Sequence, residues 1–190
     1  MHSFRRGAPL DTTSFVPPPV GDRSGPPLSQ GFLFTMVGTV AADHCSPEIL
    51  EALSRVDPDA WYHGQLLESI LEHFEAKDPT LARYVGRNIH FMLRGELEKD
   101  GIDSPRVVME SVPRIWRNVT RGDAGVWRSL VGPQRARLEA EQPHNCRFEE
   151  GTLVGLLEAF EARNVRIEHG PCMRDGAPFC VFEARWEEEE

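Results

Sequence analysis

Three of the four cysteines in this 190-residue chain fall in its last quarter beside one histidine, as Cys146-x22-His169-x2-Cys172-x7-Cys180. Thiolates and imidazole are ligands that zinc favours, four to a tetrahedron. A pair two residues apart can turn around the ion while distant ligands arrive from other elements. His169 and Cys172 flank Gly170-Pro171, a tight turn, and Cys180 opens the strand-like run that ends at Trp186. Cys146 precedes the helix between them, so an ion held by all four would staple three elements. Four protein ligands leave no open position for water or substrate, which makes the expected site structural rather than catalytic. The bland alternative is three ordinary buried thiols and a surface imidazole. A disulfide is the weaker rival, because no signal-peptide pattern or cysteine density points to an oxidising compartment.

The elements that must position these residues follow from periodicity and capping. Pro9, Pro17, Pro18, Pro19, Pro26 and Pro27, set among glycines and serines, make residues 1–30 a disordered leader by composition. Gly31 to Val40 is rich in aromatic and β-branched residues and reads as the first strand. Asp43, His44 and Cys45 follow in a turn. Four pairs, Ser46-Pro47, Asp57-Pro58, Asp78-Pro79 and Ser104-Pro105, join a capping side chain to proline at a first helical position. They predict helices from Pro58 to about Ala76, from Pro79 to about Lys99 and from Pro105 to Thr120, the last broken near Ser111 by Pro113. Period-two patterns make strands of Val126 to Val131 and Arg135 to Glu141. Phe148 to Arg163 is an amphipathic helix, and Val165 to Glu168 with Phe179 to Trp186 form a hairpin bent at Asp175-Gly176. The expected fold is α/β, four or five helices on a mostly antiparallel sheet, with the zinc-stapled hairpin at the carboxyl end.

Residues from about Pro113 to Trp186 resemble the 4-vinyl-reductase domain, a ligand-sensing module of aromatic-responsive bacterial activators and bacteriochlorophyll-pathway accessory proteins. That family holds zinc with a cysteine, an acidic residue and two further cysteines, and Cys146, Cys172 and Cys180 match its cysteine positions. The departure is His169 where the family has an acid. Imidazole serves zinc well, and Glu168 just before it is the minority candidate. The resemblance implies kinship in fold with haem-based nitric-oxide sensors and with Bet3-type vesicle-tethering subunits. It also implies a ligand in an apolar cavity between helices and sheet. Tyr84, His90, Phe91, Trp116 and Trp127 are the aromatic and polar residues that could line such a cavity, against plain core packing as the alternative for each. His90 is the sharpest candidate for haem iron; a lone histidine on a helix face is more often a core residue, so haem is the minor expectation.

A formal net charge of -9 leaves no basic stripe for nucleic acid or an anionic membrane. No apolar run approaches the roughly 18 residues of a membrane span. The chain is therefore expected to be cytoplasmic, with one domain over residues 31–186 and an acidic tail over 187–190. Gly122-Asp123-Ala124-Gly125 lacks the length and the lysine of a phosphate loop, and no nucleophile–base pair stands out. The expected function is thus not enzymatic. It is a sensor or carrier for a hydrophobic, aromatic or tetrapyrrole-like small molecule, acting through a homodimer or protein partner. The alternative is a ligand-free adaptor of Bet3-like type.

Overall fold

In the computed structural model, residues 4–141 and 145–188 are described; positions 1–3 of the proline-rich leader and 189 and 190 of the acidic tail lie outside them. In chain order the elements are β1 (Ser14–Phe15), β2 (Leu28–Gln30), α1 (Gly31–Ala41), α2 (Pro47–Ser54), β3 (Trp61–His63), α3 (Gln65–Lys77), α4 (Leu81–Met92), α5 (Arg94–Lys99), α6 (Pro105–Val119), β4 (Thr120–Arg121), β5 (Val126–Gly132), β6 (Arg135–Glu141), α7 (Cys146–Ala159), β7 (Arg163–His169) and β8 (Cys180–Glu187). Two four-stranded sheets result, ordered β1-β3-β2-β4 and β5-β6-β8-β7, and every pairing in them is antiparallel. The expected α/β class, antiparallel pairing and carboxyl-terminal hairpin are present.

Four expectations are corrected. Gly31 to Val40 is a helix: its buried Leu33, Phe34, Val37 and Ala41 recur at helical spacing, and packing overrides the residues' β-propensity. Its start carries no side-chain cap, because the Gly31 and Phe32 amides donate to Ala60 O and Pro58 O at 2.8 and 2.9 Å. That cap comes from a distant loop, so no local motif announces it. Asp57-Pro58 opens a turn, in which the Asp59 amide donates to Asp57 Oδ1 at 3.0 Å, before β3 and only then α3. The segment from Pro79 to Lys99 is divided at Leu93 into α4 and α5. Pro113 does not split α6, which runs unbroken with the proline inside it.

The proline-rich amino-terminal segment also contributes structure. Ser14 and Phe15 pair with Tyr62 and Trp61, while Leu28 and Ser29 pair with His63 and Tyr62 on one side and Arg121 and Thr120 on the other. Backbone partners roughly thirty to ninety residues away hold strands too short to signal themselves in composition.

Two apolar clusters fill the molecule. One joins the β5-β6-β8-β7 sheet to α6 and α7 through Trp127, Leu138, Phe182, Met109, Leu153 and Leu157. The other gathers α1 to α4 around Phe34, Tyr62, Ile70, Phe74, Val85 and Ile89. The seam is the α4–α7 pair, and glycine makes it close. A Cβ at Gly86 would lie 2.2 Å from Phe148 O; at Gly151, 2.0 Å from Arg83 O; at Gly155, 2.1 Å from Arg87 O. Across the same seam the Arg87 guanidinium grips the Glu158 carboxylate with two bonds, at 2.6 and 3.0 Å.

Candidate metal centre and adjoining cavity

Helix α7 begins at the candidate metal site, not two residues after it. Asn145, fully buried, accepts from the Arg147 and Phe148 amides at 3.0 and 3.2 Å and so caps the helix with Cys146 in its first turn. The β7–β8 hairpin brings His169 and Cys180 alongside, and the loop between them turns through Gly176, whose φ of 89° suits a residue without a Cβ. One ligand atom from each of Cys146, His169, Cys172 and Cys180 lies within 4.8 Å of the others, so the group could hold a metal ion. The three sulfurs stand 3.5, 3.5 and 3.8 Å apart. Zn–S bonds of about 2.3 Å at tetrahedral angles place sulfurs about 3.8 Å apart, close to this spacing. Glu168, the minority candidate, is exposed on β7 and is not among the four.

The surroundings suit an ion as well. His169 Nδ1 lies 3.2 Å from Glu150 Oε1, which fixes Nδ1 as the donor and leaves the buried Nε2, without a partner among the described residues, for the metal. The imidazole stacks on Phe182 with centroids 4.6 Å apart. The Cys146 thiol, together with the Met173 amide at 3.3 Å, holds Cys180 down to about 5. The bond to Cys180 and burial push Cys146 up in turn. An open groove of about 550 Å³ passes Cys146, His169 and Cys172 and gives an ion a way in. From the same loop Arg174 pairs with Glu68 of α3, tying the candidate site to the helical half.

A second feature lies at the junction of the two cores. A cavity of about 30 Å³ is walled by β2, α1, α3, α4, α6, β4, β5 and α7. Of the five sequence candidates, His90, Trp116 and Trp127 line it, whereas Tyr84 and Phe91 are about half exposed on the outer side of α4 and its end and do not. Burial brings His90 down to about 4, and its Nδ1 bonds Gly86 O at 2.8 Å within α4. Trp116 and Trp127 have centroids 5.9 Å apart, and Trp127 stacks on Phe182 at 5.7 Å, so rings run from the cavity to His169.

Residues that the sequence did not single out also stand here. Ser29 is fully buried on the cavity wall. Glu149, in the first turn of α7, is buried there too and is pushed up to about 8, first by burial and then by the charge of Cys180. Glu68 is pushed up to about 7, mainly by burial and against the pull of Arg174. The Glu149-Glu150 pair splits its duty, one carboxyl to the cavity and the next to the metal ligand.

No family model matches the sequence, and no curated protein matches it. Solved structures do. An H-NOX protein from S. oneidensis in the Fe(II)NO ligation state is 17% identical with a TM-score of 0.63, over 84% of this chain and 99% of that one. The H-NOX domain from Shewanella oneidensis in the Fe(II)CO state, solved by NMR, gives 17% and 0.66 with the same coverage. The Fe(II) unliganded H-NOX protein from K. algicida gives 12% and 0.58, covering 84% and 97%. The chain has the H-NOX fold. At these identities the likeness carries architecture alone, and the 4-vinyl-reductase resemblance goes no further than the related fold.

Proposed function

We propose that this chain is a small-molecule-binding sensor module with a structural zinc at Cys146, His169, Cys172 and Cys180. The single observation behind the ligand-binding role is the cavity: apolar walls from both cores enclose several polar groups at the place where the helical half, the sheet and α6 meet. The zinc braces α7, which supplies Phe148, Glu149, Thr152 and Leu156 to the wall. With its coordination filled by protein, the metal has no position for substrate, and the module is not enzymatic. The sensed state passes to a partner protein or a second copy.

The neighbours solved with Fe(II) raise haem, and the residues here do not fit it. The cavity of about 30 Å³ has room for a water molecule or two, whereas ligand pockets run to about 300–1,000 Å³. Its wall includes one imidazole, one acid and no lysine or arginine to meet the two carboxylates of a haem. A small aromatic or other hydrophobic ligand has a smaller body and no carboxylates to meet, and Ile115 and Trp116 of α6, which it would have to displace, are only partly buried.

The near-complete filling of the cavity by the protein's own side chains favours a second reading, a ligand-free adaptor. Native and then denaturing mass spectrometry separates them. One zinc per chain with an additional organic mass supports the sensor; one zinc alone in a stable dimer or larger assembly supports the adaptor. Absence of zinc from protein prepared without chelator defeats the metal assignment. Cys172→Ser is expected to lose the zinc and lower the melting temperature, since the ion staples α7 to the hairpin.

A further inference from the structure

The outer face of the β5-β6-β8-β7 sheet, turned away from the core it shares with α6 and α7, carries a line of arginines. Arg135 stands directly opposite Arg185, and Arg185 directly opposite Arg166, so three like charges run side by side across β6, β8 and β7. All three are exposed, and none has a carboxylate partner among the described residues. The next row along is built differently: Arg137 stands opposite Glu183 and donates to its carboxylate at 2.7 Å. Like charges directly opposite on a sheet destabilise it, so the fold itself gives no account of the arginine row. Acids flank it, Glu183 and Glu168 on one side and Glu187 on the other. Leu130, 74% exposed, opposes Arg137 at the β5 end of the flanking row.

We infer that Arg135, Arg185 and Arg166 form a docking surface for an acidic helix of a partner protein, laid across the strands with carboxylates at i, i+4 and i+7. Neighbouring strands lie about 4.8 Å apart, which sets the step of the row. Residues three or four apart on a helix are about 5–6 Å from each other, a near match, whereas same-face residues of an extended chain are about 6.8 Å apart. A nucleic acid or other long polyanion would reach past the row onto the flanking glutamates of a chain whose net charge is -9. A second copy does not supply the helix: the acidic stripe of α3 at this spacing, Glu68, Glu72 and Glu75, is already paired with Arg174, Arg6 and Arg147. At the β5 end, an apolar side chain on the flank of the docked helix would cover Leu130. The surface needs neither the cavity nor the ion, so it stands or falls apart from the ligand-binding reading.

The test is fluorescence anisotropy of the full chain with two labelled peptides of about 20 residues, long enough to hold a helix in water. One carries glutamates at i, i+4 and i+7; the other has the same composition with the glutamates spread around the helix. A labelled thymidine oligonucleotide is the third probe. The striped peptide is expected to bind about tenfold more tightly than the scrambled one, the scale of three exposed ion pairs. Arg185→Gln, which removes the middle charge, is expected to weaken the striped peptide about threefold to fivefold. The same variant should hold or raise the melting temperature, because it relieves repulsion on both sides, a split that a merely structural arginine would not show. Arg128→Gln, on the same face but opposite Glu139, is the control and should leave binding within about twofold. Equal binding of the two peptides, or binding of neither, overturns the assignment. Tighter binding of the oligonucleotide than of the striped peptide overturns the helix and makes the row a nucleic-acid surface. Sedimentation of the chain alone as a dimer that Arg185→Gln dissolves overturns the partner protein in favour of a second copy.

Discussion

Gly151→Ala tests the seam on which both sites depend. The added Cβ would meet Arg83 O at 2.0 Å, Arg83 C at 2.8 Å and Arg87 N at 2.9 Å, all backbone atoms of α4. An ordinary carbon contact is about 3.5 Å or more, so α4 and α7 must part by more than an ångström, and no side-chain rotation can relieve the clash. Two terms oppose each other. Alanine in a helix interior gains about 1 kcal/mol over glycine. Overpacking typically costs about 1–3 kcal/mol, and a backbone clash that also loosens Gly86 and Gly155 belongs at or beyond the upper end. A net loss of about 2 kcal/mol follows, which for a chain of this size lowers the melting temperature by roughly 4–8 °C. Gly95→Ala in α5 is the control, since its Cβ would meet nothing within 4 Å and only the propensity term remains. Thermal and urea melts of the two variants beside the parent decide the matter. Gly151→Ala melting at or above the parent would refute the close approach of the two helices.

Other outcomes follow from the same geometry. Glu150→Gln should keep zinc at one per chain but weaken it about 10–100-fold in competition with a chelator, because the His169 ring loses the carboxylate that orients it. Glu149 and Glu68 have folded pKa values raised above 4.5, to about 8 and about 7, so their contribution is fully present below about pH 4.5 and is lost as pH rises through those values. Stability from urea melts should fall by on the order of 3–4 kcal/mol between about pH 6 and about pH 8, and Glu149→Gln should remove the larger part of that slope. His90 has the opposite sign: lowered to about 4, it costs stability as pH falls from about 6.5, and His90→Gln should flatten the acid limb. Titration of the purified chain with haemin should give no stoichiometric Soret band; a sharp band at one equivalent would contradict the fit of the cavity.

The cysteine–histidine cluster that could hold a metal was the most legible part of the sequence, because its members lie near one end and their chemistry is narrow. Cys146, His169, Cys172 and Cys180 could be picked by type and spacing, and the β5–β6 and β7–β8 strands by alternation. The carboxyl-terminal half is built largely from neighbours in sequence, with α7 between β6 and β7, so local pattern and final contact agree there. What tertiary structure decided lies mostly in the first half and at the seam. Gly31 to Val40 took helical form because Ala60 O and Pro58 O accept its first amides and its apolar face finds α2 and α4. Ser14, Phe15 and Leu28 to Gln30 became strands because β3 and β4 offered partners. Tyr84 and Phe91 share with His90 the chemistry of a cavity lining, yet their positions around α4 turn them outward, whereas Glu149 passes for a helix-start acid and is buried. Which residue faces the cavity is set by the rotation of α4 and α7 against each other, and that rotation is fixed by three glycines whose role exists only once a second helix is pressed against them.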